Sequence, residues 1–142
     1  MSKYHQDFYA WTQEQAQLLK VGQLSAIDIE NIIDEIESMG RSEKRALSSR
    51  LEVLLTHLLK WQYQVALRGK SWDFTIKEQR RRLTKLLKDN PSLYSWLHEA
   101  VLEAYVEAIQ QAEIETGLHV SVFLDVCPWT VEQVLDFDFY PN

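Results

Sequence analysis

The chain has 142 residues, 46% of them apolar, and a formal net charge of −6. A chain of this length can bury about two-thirds of the surface its unfolded form exposes, so no disulfide scaffold is needed, and its single cysteine, Cys127, cannot bridge internally. The start, Met1 to Gln6, lacks the basic-then-apolar order of a secretory signal, and no apolar run approaches the ~20 residues that span a bilayer, which predicts a cytoplasmic protein without a membrane helix.

Four glycines and three prolines, most of them at segment boundaries, argue against sandwiches, barrels and glycine-rich phosphate loops. The predicted class is all-α. In chain order, residues 1–11 carry Tyr4, Phe8, Tyr9 and Trp11 and read as an aromatic arm. Thr12 to Gln15 has the capping-box pattern, opening a short helix to Val21 that Gly22 stops. Asp28 to Met39 reads as a second helix, with Ile29, Ile32, Ile33, Ile36 and Met39 towards a core and Glu30, Asp34 and Glu37 on another side, ended by Gly40.

Ser42 to Arg68 is the predicted central helix. Leu47, Leu51, Leu54, Leu55, Leu58, Trp61 and Val65 share one face, Ser42 caps the start, and Gly69 is expected to end it in a left-handed conformation. Trp72 to Lys88 returns antiparallel, and Asp89-Asn90-Pro91 breaks it. Ser92 to Thr116 is the next helix, with an alanine-rich stripe beside Tyr94, His98, Leu102, Tyr105 and Ile109, closed by Gly117. Residues 118–129 alternate like a strand without a partner and read as an extended strap. Thr130 to Gln133 repeats the capping-box pattern and starts a short last helix. The expected architecture is a single domain, residues 1–142: a compact up-down bundle of about five helices plus a short C-terminal one, around a central helix at 42–68.

Charge is distributed in blocks: net −5 for residues 1–40, +9 for 41–88 and −10 for 89–142. Lys77, Arg80, Arg81, Arg82, Lys85 and Lys88 form a candidate interaction surface. It fits a negatively charged protein partner, or a nucleic acid through phosphate contacts, although an acidic chain repels polyanions at long range. A second candidate is a polar pocket near His57, Lys60 and Trp61. The Glu-x-x-His pattern of bundle metal sites is absent, so no metal or other cofactor is expected, and Cys127 in an apolar turn reads as an inert thiol.

Several blocks together resemble a bacterial, mostly cyanobacterial family, domain of unknown function 29. They are Asp7 to Trp11 with Gln15-Ala16; Asp28 to Asn31 with Glu35-Ile36-Glu37 and Met39-Gly40; His57 to Trp61; Ser71-Trp72 with Thr75-Ile76 and Gln79-Arg80; Pro91 to Leu93; Ala104-Tyr105; Glu115 to Leu118; and Cys127 to Trp129 through Asp138 to Pro141. The family pattern often has proline where this chain has Val65 and Leu124. The resemblance implies a compact helical domain and brings no reaction, cofactor or catalytic residue with it. The functional expectation is therefore a non-enzymatic protein-binding or regulatory module, antitoxin-like in one form, acting on a protein partner or as a homodimer. The alternatives are nucleic-acid binding through residues 77–88 and an enzyme with a pocket near His57.

Overall fold

The computed structural model describes residues 3–142, and every regular element in them is helical. The α-helices are α1 (Lys3–Gln6), α2 (Phe8–Lys20), α3 (Ile29–Tyr63), α4 (Lys70–Asp89), α5 (Tyr94–Thr116) and α6 (Val131–Leu135), with short 3-10 turns between several of them. The all-α class is as expected. No described helix is long and apolar enough to cross a membrane. The chain divides into two compact units, Met1–Ser42 and Glu43–Asn142, where the sequence predicts one domain.

Several predicted boundaries move. The two helices expected at 28–39 and 42–68 are one, the 35-residue α3. Gly40 does not break it, because a lone glycine costs only about 1 kcal/mol in a helix and good helix formers flank it. Gly69 is extended at φ −169° and precedes α4, so it supplies no left-handed turn. Instead α3 ends before Val65, and the Arg68 Nε donates at 2.6 Å to the carbonyl of Trp61, one of the last in the helix. The predicted arm is helical as well. Asp7 caps α2 by accepting from the Ala10 amide at 3.0 Å, and Thr12 lies inside that helix with its hydroxyl turned back to the Tyr9 carbonyl.

In the first unit, Asp28 is the organising residue. Its carboxylate accepts from the Trp11 indole at 3.0 Å and the Asn31 side chain at 2.8 Å, while its amide donates to Gln15 at 2.7 Å. Tyr4 and Phe8 pack on Trp11 with ring centroids 4.7 and 5.6 Å away. Trp11 is the one buried apolar residue among those described in this unit.

The second unit holds the main core. Leu47, Leu51, Leu54, Leu55, Leu58 and Leu59 of α3 meet Ile76, Leu83 and Leu87 of α4 and the Ala100, Ala104, Ala108 and Ala112 stripe of α5. The α5 helix closes as predicted, with Gly117 left-handed at φ 77°. The strap contains no strand and makes a 3-10 turn at Val120–Val122. The Thr130 capping box forms with both reciprocal hydrogen bonds.

Arg80 ties the C-terminal segment to this core. It is completely buried, and its guanidinium donates to the carbonyls of Val134 at 2.8 Å and Gln133 at 3.4 Å, at the end of α6. The Tyr140 ring lies 5.5 Å from it, and the Tyr140 hydroxyl donates to Asp73. Replacing Arg80 by alanine strands those carbonyls and opens a void. A loss of about 2–4 kcal/mol is expected in urea unfolding, with faster hydrogen exchange across residues 131–141. Lysine should recover little, lacking the planar fork. Unchanged exchange in that segment would show that Arg80 does not hold it.

Candidate functional site

Six cations were expected to share the surface of α4, and successive residues on a helix point about 100° apart. Arg80 consequently faces inward, away from its two neighbours. Arg81 and Arg82 both pair with Glu78, Lys77 pairs with Asp73, and Lys85 with Asp89, all at 2.6–3.0 Å within the helix. Lys88 closes the row in the last turn. The surface is therefore Lys77, Arg81, Arg82, Lys85 and Lys88, with much of its charge compensated locally. Reversing Arg80 to glutamate would bury an unpaired carboxylate and test stability instead of binding.

The predicted pocket residues separate into two environments. His57 lines a hollow of about 280 Å³ with Glu52, Thr56, Glu107, Gln111 and Glu115, between α3 and α5. Lys60 reaches the same place indirectly. Its nearly buried ammonium pairs with Glu115 at 2.8 Å and sits 4.9 Å from the half-buried Trp72 ring. Trp61 turns away to Tyr140, 4.9 Å between centroids, and lies 5.3 Å from the Arg68 guanidinium. Thus Lys60 and Trp61 brace helices and the C-terminal segment, while His57 keeps a solvent-reachable edge.

Within the hollow, the His57 Nδ1–H donates to the Val53 carbonyl at 2.9 Å. A carbonyl only accepts, so this bond fixes the tautomer and leaves Nε2 as an acceptor. Burial pushes the Glu52 carboxyl up, with Glu107 adding to the effect. Burial also pushes on Glu115, but the hydrogen bonds from Lys60 and Gln111 outweigh it and hold that carboxyl below its usual range. The arrangement can accept protons and hydrogen bonds. Among the described residues no group of three or more acidic, histidine or cysteine side chains is disposed to hold a metal ion.

A third feature was missed because its residues were assigned to the core. Along α3 of the first unit, Ile29, Ile33, Ile36 and Met39 are 56, 48, 58 and 61% exposed, on one face. Their helical spacing was legible; that they stand exposed was not.

Burial draws the His57 pKa below the ordinary histidine value, the Val53 bond opposing it only in part. Protonation thus costs the folded state more than the unfolded one. The stability from the neutral ring is intact above the unfolded pKa of about 6.5 and is lost as pH falls through the lower folded value. In a proton NMR titration, the resonance that disappears in His57→Gln should have its midpoint below about 6.5. A midpoint at or above that value would mean that the neighbouring carboxylates, not burial, control the ring.

No curated protein and no solved structure matches the chain. The buried Arg80, the Trp11–Asp28 node and the Cys127 to Trp129 turn fall in the blocks quoted above, which reach almost from end to end. A family model covers residues 3–140 accordingly, and the chain belongs to the family described as Domain of unknown function DUF29.

Proposed function

We propose that this protein is a non-enzymatic, cytoplasmic protein-binding module whose docking face is the first half of α3. The observation that carries the reading is the exposed row Ile29, Ile33, Ile36 and Met39. Four half-exposed side chains of this size, once covered, contribute on the order of 4 kcal/mol. Folded proteins rarely leave such a contiguous apolar face without a use. Glu30, Asp34 and Glu37 run along the same stretch, and two copies laid together there would oppose carboxylate to carboxylate. The occupant that fits is therefore a different protein with a positively charged, apolar face, as complementary charge steers and selects partners.

The locally paired cations of α4 count against nucleic acid, since counterion release needs charges free to meet phosphates. The enzyme alternative rests on the hollow at His57, whose lining brings no serine or cysteine nucleophile beside the ring.

Affinity capture on the full-length chain should retain a dominant protein that the double variant Ile33→Lys, Ile36→Lys loses, with helical circular dichroism unchanged. Capture of the same proteins by both would remove α3 as the docking face. Light scattering that shows a dimer split by the double variant would instead assign the face to a second copy.

A further inference from the structure

We infer that the second unit carries a separate docking groove, between α5 and the 126–135 segment, for a short basic amphipathic helix of a partner protein. This does not rest on the α3 reading, because no residue is shared. The cavity measures about 900 Å³. Its floor is Leu97, Val101 and Trp129, all buried, and its lips are Tyr94, Leu102 and Val126, which are 58, 41 and 68% exposed. Large apolar side chains thus stand at an open mouth as well as in the floor.

Length, backbone chemistry and charge together select the occupant. From Tyr94 to Leu102 the groove follows α5 for about 12 Å, two helical turns, which suits anchors spaced i, i+3 or i+4, and i+7 on a docked helix. Neither wall contains a strand, and α5, the longer wall, spends its main-chain groups on its own helix. An extended peptide laid along α5 would find no sheet edge to pair with, whereas a helix satisfies its own main-chain groups.

The charge is one-signed. Both walls come from residues 89–142, which contain ten carboxylates and no lysine or arginine. Glu132 lines the groove itself, Glu99 follows the lining residue His98, and Asp125 precedes the lip residue Val126. A helix with leucine-like residues on one face and lysine or arginine beside them satisfies the floor and the rim together. A neutral or acidic helix satisfies the floor only.

Cys127 provides the readout, being the chain's single cysteine and part of the lining. The probe is a synthetic leucine–lysine amphipathic peptide of roughly 14 residues, long enough to form a helix. Its counterpart has glutamate for lysine. With the full-length protein, the basic peptide should slow alkylation of Cys127 by about tenfold or more at saturation, and the acidic one should not. Leu102→Lys and, as a second exposed substitution, Glu132→Lys should each weaken protection by about tenfold. Ile33→Lys should leave it unchanged, so failure here and failure of the α3 reading are distinguishable. The inference is overturned by absence of protection, by equal protection from the acidic peptide, or by loss of protection in Ile33→Lys alone. It is also overturned if the protein self-associates and dilution speeds Cys127 alkylation, since a second copy would then be the occupant.

Discussion

A buried guanidinium with no carboxylate in ion-pair contact among the described residues is the constraint on which the second unit depends. The end of a helix meets this charge in place of an anion. The α6 carbonyls at Val134 and Gln133 point at it, and a cation at a helix C-terminus is favourable. The dependence is mutual. A helix of five residues does not persist in water unaided, so α6 exists where Arg80 satisfies its carbonyls and Val134 is buried in the core.

The rest of the C-terminal segment follows from the same clamp. Tyr140 lies against Arg80 and donates to Asp73, about two turns before Arg80 on α4. That hydrogen bond, with Lys77 beside it, holds the Asp73 carboxyl below its usual range, while burial and the same bond push Tyr140 up to about 12. Arg68 then reaches the carbonyl of Pro141 at 3.3 Å. Two arginines of the basic middle block are thus spent on holding an acidic tail. This is internal complementarity between the +9 and −10 stretches, made through main-chain carbonyls and an aromatic face more than through ion pairs. It also fixes the wall of the groove, because α6 and the turn before it stand or fall with Arg80.

Much of this fold was legible from local chemistry, and the misreadings share a cause. Gly117 and Thr130 act as predicted because each performs its role within a few residues: a left-handed turn, a reciprocal cap. Gly40, Gly69 and Thr12 failed because each competed with something outside its window. Strong helix formers on both sides carried α3 through Gly40, Arg68 terminated the helix before Gly69 was reached, and Asp7 offered an earlier cap than Thr12. The candidate sites were less legible for a different reason. A run such as Arg80-Arg81-Arg82 is contiguous in sequence and divergent on a helix, so its members part into one buried clamp and two outward residues paired to Glu78. Periodicity likewise identified the Ile29 to Met39 row, but whether an apolar row faces its own core or a partner depends on what the rest of the chain can cover.

The blocks that carry the family resemblance acquire a physical meaning in these contacts. Trp11, Gln15, Asp28 and Asn31 come from two separate blocks and form one hydrogen-bonded node. Arg80, Trp61 and Tyr140 come from three and form the clamp. The shared pattern therefore describes a frame. Cys127, Pro128 and Trp129, which shape the groove from one side, belong to it, whereas the lips Tyr94, Leu102 and Val126 lie outside every block. A frame specified by buried contacts tolerates little change, because each substitution strands a hydrogen bond or opens a void. Half-exposed lips tolerate much more, since altering them changes the fit of an occupant with little effect on the fold. Exposed residues on such a frame are free of the demands of the fold, and for that reason the resemblance names the architecture without naming a partner.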